Sequence, residues 1–368
     1  MPHHRPPSRA ARRFALAGAA AGLLIAQGCI RLPWAHPSIA PFEREFGQEP
    51  STGDLTVHFL GTSSLLFRDA GGTSILMDGF VSRPGKLRVV PGLPIEPSCA
   101  RIRQVRDRLR IDSLSAVFVG HSHYDHAMDA PVWAQMTGAT LLGSLSTRML
   151  ARGIGLAPGQ DILVQQDVPL RFGPFELTFV ESVHGPPDRI PGSLYEPLRP
   201  PARMKAWKTG LVYSVFIRHR GRTILVQSSA GYLPGALHGR RADVVYLAIG
   251  GLGHQPPRDI DAYWSEVVRA TGARRVILVH WDDFFRPLTA RMVPTPYHGD
   301  DVPRGMGRIA ELAAADRVDL VVPRVWQPAD PFAGMGLTPA APDTPDAPAS
   351  RHTAAKNPYC PAGPPRRG

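Results

Sequence analysis

Seven consecutive residues concentrate the side chains able to do chemistry in this chain: Gly120-His121-Ser122-His123-Tyr124-Asp125-His126. Imidazole nitrogens and carboxylate oxygens are the ligands that divalent transition metals take. The alternation H-x-H-x-D-H lets neighbouring side chains address two adjacent metal positions. Two later histidines end strand-like runs in the same way. His184 follows Leu177–Val183 and precedes Gly185 and two prolines, and His280 follows Val276-Ile-Leu-Val279. Loops at strand ends are where a rigid scaffold presents reactive groups.

The elements that must position these residues are legible from periodicity. Ser115–Val119 reads as a buried strand delivering the motif, and Ala127–Met136 as a helix leaving it through Asp129 and Pro131. Upstream, Thr56–Leu60, Ser63–Phe67 and Ser74–Met77 form a meander punctuated by Gly61-Thr62 and Gly71-Gly72 and closed by Asp78-Gly79. Ala100–Arg110 is predicted helical with a basic face. Downstream come a strand at 139–142, a helix at 146–152, and a strand pair over 170–180 broken at Gly173-Pro174. Strands at 211–217 and 223–226 flank a hairpin turn at His219–Arg222. Strands at 243–249, 276–279 and 318–322 and helices at 260–271 and 304–315 complete the pattern.

The ends of the chain read differently. Residues 1–28 carry Arg12-Arg13 and an apolar run over 14–26, ending in Ile25-Ala-Gln-Gly-Cys29. That is a signal segment resembling the cleavage box of a bacterial lipoprotein, with ordinary secretion as the alternative. It implies a mature protein outside the cytoplasm, on the periplasmic side of the envelope and held to a membrane through a lipidated Cys29. Residues 29–53 read as a linker, 54–329 as the functional domain, and 330–368 as a disordered Pro/Ala-rich tail. Because Cys360 falls in that tail, no structural disulfide with Cys99 is expected. The charge of +11 is concentrated at the ends, and the body, with 34 basic against 29 acidic residues, is only mildly basic. It carries no basic-aromatic run of the kind that grips a nucleic acid strand.

The order Asp78, H-S-H-Y-D-H at 121–126, His184 and His280 resembles the metallo-β-lactamase fold hydrolases over roughly residues 54–325. Gly61-Thr62-Ser63-Ser64 and His280-Trp281-Asp282 look most like the branch of the L-ascorbate-6-phosphate lactonase and N-acyl-phosphatidylethanolamine phospholipase D. The resemblance implies an α/β fold, a four-layer αββα sandwich. It also implies one Zn²⁺ on His121, His123 and His184 and a second on Asp125, His126 and His280, with Mn²⁺ or Fe²⁺ as alternative metals. Asp125 would double as proton acceptor, and Asp78 would orient a ligand from behind. One departure stands out: Ser229, in Ser228-Ser229-Ala230-Gly231-Tyr232, occupies the place of the aspartate that usually bridges two metals. Three outcomes are open: a weak second metal, recruitment of Asp282 or Asp283, or completion by a substrate anion.

The expected chemistry is hydrolysis of an ester, lactone or phosphodiester in an anionic small molecule, lipid-like ones included, by a metal-activated hydroxide. A non-catalytic envelope lipoprotein keeping the fold is the alternative, and a β-lactamase proper a weaker third. The long insertion at 185–209 offers Arg203, Lys205 and Trp207 as substrate contacts, with Tyr195 and Lys208 beside them. His254, on a Gly-rich loop, is a further candidate. His219 and His238 read as surface histidines, and His58 as packed or half exposed.

Overall fold

A computed structural model describes residues 32–47, 53–340 and 359–360. The signal segment, Cys29 and most of the C-terminal tail lie outside the described residues. No helix among those described is long and apolar enough to cross a membrane.

Strand alternation builds the layers. In β3 (Ser74–Met77), Ile75 and Met77 face a core shared with the second sheet, while Leu76 faces helices on the other side. In β4 (Ala116–Phe118), Ala116 and Phe118 face inward and Val117 outward. With β1 (Leu55–Phe59), β2 (Leu65–Asp69) and the later strands β5 (Thr140–Gly143), β6 (Asp161–Leu163) and β14 (Pro328–Ala329), they form a seven-stranded sheet ordered β14-β1-β2-β3-β4-β5-β6. A second seven-stranded sheet runs β13-β12-β11-β10-β9-β8-β7. Its members are β7 (Leu170–Phe172), β8 (Phe175–Ser182), β9 (Val212–His219), β10 (Arg222–Gln227), β11 (Val244–Ala248), β12 (Arg275–Val279) and β13 (Asp319–Val321).

Helices cover both outer faces. A short α1 (Lys86–Val89), α2 (Cys99–Leu109), α3 (Tyr124–Ala127), α4 (Ala130–Thr137) and α5 (Leu145–Ile154) lie on the side of the first sheet. Ile102, Val105, Val132, Trp133 and Leu150 pack there. Against the second sheet lie α6 (Pro257–Trp264), continued by a π-turn over Ser265–Arg269, and α7 (Val302–Asp316). They contribute Ile260, Trp264 and Ile309. The result is the expected α/β architecture, two sheets face to face with helices outside.

Four expectations are corrected. Cys99 and Cys360 are joined by a disulfide with Cα atoms 5.6 Å apart, and Cys360 is buried. Composition reports the average polarity of the tail and missed that Tyr359-Cys360 docks on the second core cluster. The domain also reaches past its expected limits. A 3₁₀ turn at Ala40–Glu45 and Phe46 packs against the main core, Phe46 edge-on to Trp281. At the other end β14 pairs with β1, and Phe332 is buried under the Arg222 guanidinium. His219 is fully buried, its Nε2 2.9 Å from Asp69 Oδ1, because the hairpin turn folds it back between charged partners.

Candidate metal centre

The motif lies where parallel strands end side by side. β3 pairs with β4, β10 with β11 and β11 with β12, so Asp78, residues 120–126, Ser229, Gly250 and His280 emerge at adjacent strand ends. Asp78 and His280 both adopt positive φ, +55° and +60°, which turns the chain sharply as the strand stops. Non-glycine residues keep this conformation only where their surroundings hold it. Here the Asp78 amide donates to Phe118 O at 2.8 Å, and the His280 amide to Thr62 O at 2.7 Å.

Two triads result. His121, His123 and His184 present ligand atoms within 4.8 Å of one another, and so do Asp125, His126 and His280. The rings of His121 and His126, one from each triad, are 3.9 Å apart between centroids. α3 starts immediately after His123, and its first turn carries Asp125 and His126 towards His280.

Hydrogen bonds at the far nitrogens determine which atoms face the centre. His126 Nδ1 donates to Asp78 Oδ2 at 2.7 Å, and the other Asp78 oxygen accepts from the Gly120 amide at 3.0 Å. His184 Nδ1 donates to Gly185 O at 2.7 Å. His123 Nε2 lies 2.9 Å from Thr209 Oγ1, 3.3 Å from Ile190 O and 3.5 Å from Asp188. Thr209 in turn donates to Asp188 at 2.6 Å. Each ring thereby keeps one nitrogen bare.

Those bare nitrogens fit a cation. Both ring nitrogens of His121 are buried without a protein partner. His126 Nε2 and His280 Nε2 face each other at 3.2 Å, with Asp125 Oδ2 3.6 and 3.4 Å away. Burial first, and then the neighbouring imidazoles, push His121 well below its ordinary pKa. Burial likewise lowers His123, and lowers His184 to about 4, so these rings are neutral and ligand-competent at pH 7. Burial would also lower His126, but Asp78 and Asp125 outweigh it and raise the ring. For Asp125 burial acts upward, yet the imidazoles around it hold the carboxyl below its usual range.

Ser229 does not point a carboxylate at either triad. Its hydroxyl accepts from the Gly185 amide at 2.9 Å and so fixes the loop of His184. Asp282 is not available in its place. Its Oδ2 pairs with Arg83 at 2.7 Å, both side chains being fully buried, and its Oδ1 accepts from the Thr62 amide at 2.8 Å. Asp283 accepts from the Phe285 amide and stands 3.7 Å from His36. A Cβ at Gly61 would meet Arg83 Nη2 at 1.9 Å, which explains the glycine beside Thr62.

The expected substrate contacts divide. Trp207 is 1% exposed and belongs to the second core cluster, so it is a packing residue; the insertion folds inward at that point. Arg203 and Lys205 are exposed on the same limb, fastened where Ala202 bridges Ile95. His254 is exposed and donates to Tyr297 O at 3.1 Å. Its neighbour Gln255 donates to Pro186 O at 2.9 Å, joining the Gly-rich loop to the start of the insertion. Asp188, Thr209 and Arg83 escaped sequence reasoning. Asp188 alone left a trace, as an acid four residues beyond His184.

A profile of the beta-lactamase superfamily domain matches residues 75–281. Over 113 residues the chain is 30% identical to a protein of Roseiflexus castenholzii described as a metal-dependent hydrolase, covering 30% of this chain and 39% of that one. The chain thus spans about two fifths of the length of that curated relative. Among solved structures, Igni18 of Ignicoccus hospitalis, a metallo hydrolase, is 15% identical with a TM-score of 0.43, over 75% of this chain and 96% of that one. YhfI of Bacillus subtilis, a metallo-beta-lactamase fold protein, is 16% identical with a TM-score of 0.44, over 74% and 96%.

Proposed function

This chain belongs to the beta-lactamase superfamily, and on that premise we propose that it is a metal-dependent hydrolase of an anionic ester, lactone or phosphodiester. One observation carries the reading. Two triads of ligand atoms stand together, and far-side hydrogen bonds leave a bare nitrogen on each of His123, His126 and His184 for a metal. His121, His123 and His184 would hold one divalent ion and Asp125, His126 and His280 another; zinc, manganese and iron all suit such donors. Bound there, such an ion supplies Lewis acidity and makes water acidic enough to react near neutral pH.

The protein's own residues supply the rest. Asp125, held ionised, is the group placed to accept a proton from an attacking water. Asp78, Gly185 O and the Asp188–Thr209 pair lock three of the rings. With Ser229 replacing a carboxylate and Asp282 tied to Arg83, Asp125 is the one carboxylate in the two triads. Positive charge left at a loaded centre would favour a substrate that brings its own anion. A phospholipid-like substrate accords with the signal segment and Cys29, which would hold the domain at the periplasmic face of a membrane. Nucleic acid is not a partner in this reading.

Metal analysis of the purified protein with esterase and phosphodiesterase assays tests it. One or two metals per chain, with hydrolysis lost in His121→Ala, is the expected result. Metal-free protein, or activity untouched by His121→Ala, would refute it. Ser229 also favours a second reading, a lipoprotein that binds one metal and catalyses nothing; bound metal without turnover of any such bond would select it.

A further inference from the structure

The segment after β3 inverts the usual pattern of a surface helix. Val89 of α1 is buried, as expected, yet Leu87 is 91% and Val90 67% exposed. Leu93, on the turn that follows, is 50% exposed. The turn is held rigidly: Val90 N donates to Lys86 O and Leu93 N to Arg88 O, both at 3.0 Å. The exposed aliphatic side chains are therefore fixed outward. Trp34 extends the patch. His298 donates from its amide to Pro33 O at 2.7 Å, and Lys86 Nζ lies 3.2 Å from His298 Nε2, so Trp34 and Leu87 flank one contact. Trp34 is 68% exposed. Lys86 and Arg88 flank Leu87 in the chain, Lys86 half-buried and Arg88 exposed.

We propose that Trp34, Leu87, Val90 and Leu93, with Lys86 and Arg88, form a contact surface for an anionic lipid bilayer. Two observations select this occupant over a protein partner. The first is composition: a tryptophan and outward aliphatic residues between two cations match the polar-apolar boundary of a membrane and its negative headgroups. The second is chain geometry. Cys29 precedes Trp34 by five residues, which span at most about 18 Å when extended. An acyl chain on Cys29 would hold Trp34 within that distance of the bilayer, on the face where the patch lies.

The surface is tied to the metal centre. Arg83, three residues before Lys86, pairs with Asp282, and the peptide of Thr62 links Asp282 to His280. Docking would then orient the centre with respect to the lipid. This part rests on the lipid-like substrate reading; the contact itself does not.

Four of the six tryptophans are fully buried and Trp326 packs on the core, which leaves Trp34 as the reporter. Mature protein, beginning at Cys29, is mixed with vesicles of brominated phosphatidylglycerol or brominated phosphatidylcholine, and tryptophan emission is followed. Quenching by the anionic vesicles is expected, weaker with phosphatidylcholine, absent in Trp34→Phe and reduced several-fold in the Leu87→Glu/Val90→Glu double variant. Both positions are exposed, so an unchanged melting temperature verifies folding. Quenching that is independent of Trp34, or untouched by the double variant, would overturn the proposal. So would a concentration-dependent dimer abolished by the same variant without lipid quenching. No outcome depends on catalysis, so failure of the hydrolase reading would remain distinguishable.

Discussion

Asp78 Oδ2 lies 2.7 Å from His126 Nδ1, while Asp78 Oδ1 receives the Gly120 amide at 3.0 Å. One carboxylate at the end of β3 thus fixes both the His126 ring of the second triad and the loop that carries His121 of the first. Asp78→Ala should lower metal affinity roughly 10- to 100-fold, the usual cost of losing an orienting partner. Chelator competition measures it. Unchanged affinity would show that packing alone orients His126.

Arg83 and Asp282 are paired at 2.7 Å with neither side chain exposed. Removing one partner of such a pair leaves a charge without compensation and should cost about 3–5 kcal/mol. Denaturant unfolding of Arg83→Met is expected to show a loss of that order, and Arg83→Met/Asp282→Leu to recover much of it. Additive losses in the double variant would contradict the coupling.

Ser229→Asp puts a carboxylate at the loop of His184, and its oxygen can still accept from the Gly185 amide that Ser229 now holds at 2.9 Å. Metal content should rise towards two ions per chain if charge limits occupancy of the second triad. An unchanged stoichiometry would place the limit elsewhere.

His58 titrates against the fold. Burial first, and then the nearby Arg68 charge, lower its pKa to about 4, from an ordinary value near 6.5. Between those values the unfolded chain binds the proton more readily, so this residue's stabilising effect is present above about pH 6.5 and is lost as pH falls towards 4. The slope is at most about 1.4 kcal/mol per pH unit. His58→Leu should flatten that part of the stability profile. A variant whose profile keeps the wild-type slope would assign it to other groups.

The Cys99–Cys360 bond closes 261 residues of chain. Its reduction should lower stability by about 2–4 kcal/mol, measured as a drop in melting temperature with a phosphine reductant. Cys99→Ser should reproduce the drop and abolish any further response to reductant.

What the sequence determined by itself was whatever depends on neighbours along the chain. Strand alternation in Ser74–Met77 and Ala116–Phe118 reported which faces are apolar. The spacing of His121, His123, Asp125 and His126 follows from one loop entering one helical turn, so a short window contained it. His184 and His280 were legible because each directly ends an apolar run. Tertiary structure decided everything that requires the two sheets to meet. Trp207 had the composition of a binding residue, but its limb of the insertion turns into the second core cluster. His219 and Cys360 sit in stretches of polar or low-complexity sequence, yet remote partners bury both. The Asp188–Thr209 hold on His123 joins residues brought together only when the insertion folds back on the motif. Arg83–Asp282 spans about 200 residues and exists because strand ends from opposite sheets converge. Periodicity records local backbone geometry, whereas these pairs depend on long-range packing, which no short window of sequence encodes.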